Sequence, residues 1–358
     1  MSQKNGAFSL VRLLVVVVPI LLIAYGVQYL ANDEKATAQE ELNSDMLARL
    51  LGTAEAGPDS PIAFTDEDGD LVCDSPAEDA CVTPEKLIFS YIAEKEPGET
   101  PTHWQGVLDA LSKRLGIPVE YKIYTNNKDQ LSALASGELH ITAFNTGAVP
   151  LAVKTAGFVP VCTFGRAGEE GDEFGYTMQF IVPADSPLTS PGDLKSTGGD
   201  RTKVTFETPT SNSGCKAALV LLMDKHGLLP EQNYDWGFSM GHESSILGVA
   251  SGELEIAPVA SDILARMQAN NEFDAEKVKT IYTSERFPQA AIGYAHNLAP
   301  PIREAIAEAL LGFEWAGSSL EGNEGDPGDD RFVPVDFKED WANVRRIDEA
   351  VRDARNAG

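Results

Sequence analysis

From Lys86 onward the chain alternates short strand-like apolar runs with segments of helical periodicity, and this alternation limits the fold more than any other feature. Leu87 to Ile92 reads as a strand; Trp104, Val107, Leu108, Leu111 and Leu115 recur at helical spacing; Val119 to Tyr124 returns to strand. Helix over 128–135, strand over 139–143, helix over 148–156 and strand over 159–164 continue the rhythm. Such a succession predicts an α/β fold with an open, largely parallel sheet, because parallel neighbours need a crossover that a helix fills. A second series starts after Ser186-Pro187, with a strand at Val204 to Phe206, a helix from about Ser213 to His226 and another over 243–250. Two series predict two lobes. A strand at Thr280 to Thr283, an apolar stretch at Ala290 to Tyr294 and helices over 301–315 and 341–351 return the chain to the first lobe. The expected division is 86–184 with 285–358 for the first lobe and 185–284 for the second. Gly322 to Asp330 reads as an exposed acidic loop. Ligands of open α/β sheets bind beyond the carboxyl ends of the strands, so the site is expected in the cleft between the lobes, buried by hinge closure.

Ahead of the lobes, Leu13 to Ala31 is apolar apart from Gln28, with Lys4 and Arg12 before it and Asp33 and Glu34 after it. That asymmetry places the N-terminus in the cytoplasm and exports the remainder. The run is long enough to cross a bilayer as a helix, with a kink at Pro19. The small-residue cleavage pattern is poor and no Cys follows the run, so residues 1–31 are read as a retained membrane anchor; a cleaved signal segment would leave the same protein soluble. Residues 32–85 are polar, acidic and Pro/Gly-containing, with one amphipathic pattern at Leu42, Met46, Leu47, Leu50 and Leu51, and read as a stalk. Within them Asp66, Glu67, Asp68, Asp70 and Asp74 could chelate a hard cation, but the EF-hand spacing is not met, and a solvated acidic turn without metal is favoured. Cys73, Cys81, Cys162 and Cys215 show no metal or redox spacing; Cys73 and Cys81 either pair or stay free, and burial is the simpler reading of the other two.

The chain carries 28 Lys+Arg against 55 Asp+Glu, a formal charge of −27. Counterion-release binding to nucleic acid or to an anionic membrane surface is therefore disfavoured. If the protein binds an anion, it does so against its own field, through hydroxyls and the free N–H groups of a helix start. Phe206-Glu207-Thr208-Pro209-Thr210-Ser211-Asn212-Ser213-Gly214-Cys215 offers this arrangement, following a strand and opening a helix. Ser211, Asn212 and Ser213 supply side-chain donors that suit a tetrahedral oxyanion; the plainer alternative is an N-cap on a solvated turn, since Ser and Asn are favoured caps.

In chain order, Gly175-Tyr176, Asp193-Leu194-Lys195, Thr208-Pro209-Thr210-Ser211-Asn212-Ser213-Gly214, Gly227-Leu228-Leu229-Pro230, Gly241-His242-Glu243-Ser244-Ser245, Ser251-Gly252-Glu253-Leu254-Glu255, Ser261-Asp262 and Asp340-Trp341 with Val344-Arg345 resemble the phosphate/phosphite/phosphonate-binding proteins of ABC importers. The resemblance implies a two-lobed, type II periplasmic-binding-protein fold and an oxyanion loop at Ser211, Asn212 and Ser213. It also implies an aromatic pocket residue at Tyr176, a histidine donor at His242 and an acidic residue at Asp262. Asp262 either accepts a P–OH proton or caps the helix after Ala260. The sequence departs from the family where a second pocket Tyr aligns with Asn127 and a Gly-Pro with Asn145-Thr146, polar residues that can still donate. The expected function is capture of a phosphorus oxyanion (phosphate, phosphite or a phosphonate) outside the cytoplasm for an ABC permease, without catalysis and without cofactor. A membrane-anchored sensor acting through a partner receptor is the alternative. An enzyme using Cys215 or His242 is third, because no matched base accompanies them.

Overall fold

The computed structural model describes residues 44–52, 57–92, 100–169, 171–194, 201–239, 241–321 and 323–356. The chain divides into two compact units, residues 50–351 and a smaller one formed by 1–49 and 352–358. Of the smaller unit only 44–49 and 352–356 are described, and both are helical. The apolar run Leu13 to Ala31, read as an anchor, lies outside the described residues, among which no helix is long and apolar enough to cross a membrane.

The large unit is built on twelve strands. In chain order they are β1 (Leu87–Ser90), β2 (Val119–Tyr121), β3 (Ile141–Phe144), β4 (Phe158–Ala167), β5 (Asp172–Phe174) and β6 (Tyr176–Pro183), then β7 (Lys203–Phe206), β8 (Asp235–Phe238), β9 (Ala257–Ala260), β10 (Val278–Phe287), β11 (Ala291–Ala295) and β12 (Arg331–Pro334). One sheet has the order β12-β4-β11-β3-β1-β2, with β5 on β4. Its β1 runs parallel to β2 and β3, as the crossover rhythm requires, and the returning β11 enters antiparallel between β3 and β4. The other half comprises β10-β6-β9 and the parallel pair β7-β8, linked by a bridge between Val204 and Ile256. Phe89, Trp104, Phe164, Trp315 and Phe332 fill the core beside the first sheet, with ring centroids 5.1 Å apart for Trp315 and Phe332. Ile181, Ile246, Val249, Val259 and Met267 fill the second core.

The chain leaves the first sheet at Gly175, and Tyr176–Pro183 pairs with β9 and β10. Gly175 has a φ of 98°, and a Cβ there would lie 2.6 Å from the Phe287 carbonyl oxygen. The outgoing and returning segments thus meet at a point only glycine can occupy. The return to the first sheet follows Phe287, between β10 and β11.

Residues 57–85 lie along the body rather than standing off it as a stalk. Ile62 N donates to Thr155 O at 3.0 Å, Val82 N to Asn297 O at 2.8 Å and Ala299 N to Val82 O at 2.9 Å, and Lys128 pairs with Asp59 at 2.6 Å. A polar segment docks here because backbone bonds, more than apolar side chains, attach it. Its Asp66, Asp68 and Asp70 bring carboxylate oxygens within 4.8 Å of one another, while Asp68 and Asp70 already accept amides of their own turn, from Asp70 N and Val72 N. All four cysteines are free thiols.

The acidic loop near 323–330 is not simply exposed. Asp329 is buried, accepting from Gln289 Nε2 at 3.2 Å and from Asp326 N at 2.7 Å, and Glu324 accepts from the Tyr91 hydroxyl at 2.9 Å. Buried donors of the first half draw the loop inward.

Candidate functional site

The turn after β7 is enclosed by protein. Ser211, Asn212 and Ser213 are 5%, 2% and 1% exposed. The helix they open runs through Asn212–Lys216, Ala217–Val220 and Leu221–Lys225, with its first and last segments widened into π-helix. Lys216 N reaches back to Ser211 O at 3.0 Å, a five-residue step. Such widened turns are uncommon in helices and recur at functional sites.

Each of the three residues is spent differently. Ser211 is the cap, its Oγ accepting from Gly214 N at 3.1 Å; the hydroxyl proton stays free to point elsewhere. Asn212 donates from Nδ2 to the Tyr176 hydroxyl at 3.5 Å, and its Oδ1 has no protein partner. Ser213 Oγ is buried and completes no hydrogen bond with a protein group. Buried polar atoms are nearly always satisfied, and an unsatisfied one costs about 1–3 kcal/mol. Two adjacent ones lie at this helix start, where the first N–H groups also lack intrahelical acceptors.

Tyr176 closes one wall. Burial raises its phenol pKa, while the nearby side chains of Ser213, Thr146 and Asn212 oppose the rise and Asp262 adds to it. The ring packs on Phe287 at a centroid distance of 6.1 Å. Thr146, from the loop after β3, is buried and donates to Pro288 O at 2.9 Å. The two sheets therefore both contribute to the cluster.

His242 begins the helix His242–Ser251, and its Nδ1 accepts from Ala260 N at 3.3 Å. In the neutral ring the proton then sits on Nε2, leaving a donor. A Cβ on Gly214 would lie 3.0 Å from His242 Cε1 and overlap Glu207, so the missing side chain lets the imidazole approach the helix start. Asp262, in the first turn of the helix Ser261–Ala269, has its Oδ1 enclosed and unpartnered. Burial pushes its carboxyl up to about 6; His242 and the Ile263 amide pull it down, and Asp326 pushes it up. The N-cap position of that helix is Ala260, which has no side chain to cap it.

Two expected residues are not brought in. Asn145 Oδ1 accepts from Ala148 N at 3.0 Å and so holds the turn into the helix Val149–Ala156. Asn127 is half-buried at the start of the helix Asn127–Ser136, which Asn126 caps, and among the described residues it makes no hydrogen bond to the cluster. Two residues were not anticipated. Gln289 is 2% exposed with Oε1 unpartnered, next to the Pro288 carbonyl that Thr146 binds. Lys216, one turn into the helix, is buried and paired with Asp348. A cation near a helix start runs against the dipole, and that anomaly was the available signal.

A family model described as the periplasmic substrate-binding protein of phosphonate ABC transporters matches residues 89–341. The phosphonates-binding periplasmic protein of Escherichia coli is 21% identical over 230 residues, which span 63% of this chain and 66% of the relative, just under two thirds of its length. Among solved structures, a binding component of a phosphonate ABC transporter from Pseudomonas aeruginosa superposes with a TM-score of 0.62 at 17% identity, covering 76% of this chain and 89% of that one. A Prochlorococcus marinus protein in complex with methylphosphonate gives 0.60 at 14% identity over 75% and 99%. At these identities the structural likenesses show the fold, that of the type II periplasmic binding proteins.

Proposed function

Because the chain belongs to the periplasmic substrate-binding proteins of phosphonate ABC transporters, we propose that it captures a small phosphorus oxyanion outside the cytoplasm and hands it to an ABC permease. The observation that carries the proposal is the enclosed start of the 212–225 helix, where the Ser213 hydroxyl is buried without a protein partner beside the Tyr176 hydroxyl and the Asn212 Nδ2 donor. In this reading Ser211, Asn212 and Ser213 face the oxyanion with the helix N–H groups. Tyr176 and His242 Nε2 donate from the side, Asp262 accepts the proton of a singly protonated ligand, and Thr146, whose hydroxyl donates to Pro288 O, lines the other side without a proton to spare. Phosphate, phosphite and alkylphosphonates share the tetrahedral PO3 group this requires.

The two lobes of the proposal are 86–175 with 288–351, and 176–287, hinged where Gly175 meets Phe287. Leu13 to Ala31 is proposed to hold the protein at the membrane, as its flanking charges suggest. The family is one of binding components, so the chain is a binding protein and not an enzyme. Cys215 accords with this, being fully buried.

Calorimetric titration of the full-length protein with phosphate, phosphite and methylphosphonate, with sulfate as the contrasting anion, tests the reading. Saturable binding of at least one phosphorus oxyanion, weakened by Asn212→Ala, is expected. No heat from any of the three refutes it.

A further inference from the structure

Lys216 is buried, its side chain 4% exposed, with Nζ 2.6 Å from Asp348 Oδ1 and 3.2 Å from the carbonyl oxygen of Gly147. The lysine belongs to the helix that opens the site in the second half of the molecule. Both acceptors belong to the first half: Gly147 follows β3, and Asp348 lies on the helix Ala342–Asn356, just after Trp341, whose Nε1 donates to Thr146 O at 3.2 Å. The loop 145–147 is pressed against the strand-to-helix turn of the other half. A Cβ on Gly147 would overlap Thr210 O and lie 2.8 Å from Asn212 N. One ammonium therefore ties the helix bearing Asn212 and Ser213 to the loop bearing Thr146.

We propose that Lys216 is a positioning residue, and that its pair with Asp348 is a latch that sets how far the ligand-free cleft is closed. Opening separates the two ions and lets water reach both; closing buries them together. A buried pair sits close to balance between desolvation and attraction, so it biases closure without locking it. Removing only the carboxylate upsets that balance in one state. In the closed form the ammonium stays buried without this counter-charge, whereas in the open form water hydrates it, so the penalty falls on closure and is read as weaker capture. Replacing both residues with apolar ones removes the penalty along with the pair.

The test uses the full-length protein with spin labels on introduced non-natural residues at the exposed positions Ser136 and Leu247, one in each half. Inter-label distances are measured without ligand and with saturating methylphosphonate, and affinity is measured by calorimetry. Asp348→Asn is expected to lengthen the ligand-free distance, to leave the liganded distance unchanged and to weaken methylphosphonate binding by about tenfold or more. Lys216→Met, which takes the ammonium from the less buried carboxylate, should open the cleft less, and Lys216→Met with Asp348→Leu should return both readouts toward the parent. Ligand-free distances that are the same in the parent, Asp348→Asn and Lys216→Met overturn the latch, and a loss of thermal stability alone marks the pair as merely structural. The inference rests on the proposed oxyanion site for its affinity arm only. If methylphosphonate fails to bind the parent, that reading falls while the ligand-free distances still judge the latch.

Discussion

Replacing Ser213 with Ala separates binding from stability, because the two should move in opposite directions. The hydroxyl is buried and makes no hydrogen bond to protein, yet it sits at the helix start beside Tyr176. If it donates to a charged ligand, its loss removes about 1.5–3 kcal/mol of binding. At 1.4 kcal/mol per decade this weakens affinity by roughly 10- to 150-fold. In the ligand-free protein the same hydroxyl is an enclosed polar group without a partner, so deleting it removes a cost and leaves no cavity larger than one oxygen. Ligand-free stability should hold or rise by up to about 1 kcal/mol. Calorimetry with methylphosphonate gives the first quantity and urea denaturation without ligand the second. An unchanged affinity, or a stability loss that matches the affinity loss, refutes the claim that this group is held open for a guest.

Gly147→Ala should act as a wedge: its Cβ would collide with Thr210 O and Asn212 N only when the halves meet, so binding should be lost while the melting temperature stays within a few degrees of the parent; a tight complex would show that the loop yields. Asp262 is held near 6 by burial, above the 3.8 of an ordinary carboxyl, so between these values the folded state binds the extra proton. Its contribution to stability is then largest below about pH 4 and is lost as pH rises to about 6, by up to about 3 kcal/mol, and Asp262→Asn should abolish that slope in urea titrations run at successive pH values. His140 behaves in the opposite sense, since burial lowers its pKa and its Nδ1 accepts from Ile88 N at 3.0 Å. Stability present above the unfolded value near 6.5 should fall as the pH drops below it, and His140→Asn should flatten that limb in the same titrations.

Much of the first half was legible in sequence because its strands are buried apolar runs joined by amphipathic helices: β1, β3 and the helices around them fall within a few residues of where periodicity puts them. The strands that escaped are those that break this pattern. β9 is short and contains Pro258, and β6 alternates in an antiparallel setting that no crossover rhythm announces, while β10, half-exposed with two register shifts, was read only over Thr280 to Thr283. Of the candidate site, Ser211, Asn212 and Ser213 were singled out because hydroxyls and an amide at a strand-to-helix turn suit one kind of chemistry, and Tyr176 only because the segment Gly175-Tyr176 resembles the family's. Asn127 and Asn145 were not separable from them, since a helix-starting Asn looks the same whether it faces a ligand or its own backbone.

The order of residues alone fixed two βα series, an acidic chain unable to rely on its overall charge for anion capture, and a helix start rich in neutral donors, since each of these depends on composition and local spacing. Only the tertiary structure decided which buried polar atoms are left without protein partners, that Gly175 marks the crossing between sheets, and that Lys216 finds Asp348, 132 positions along the chain. Those facts depend on contacts between residues far apart in the chain, and no local pattern carries them.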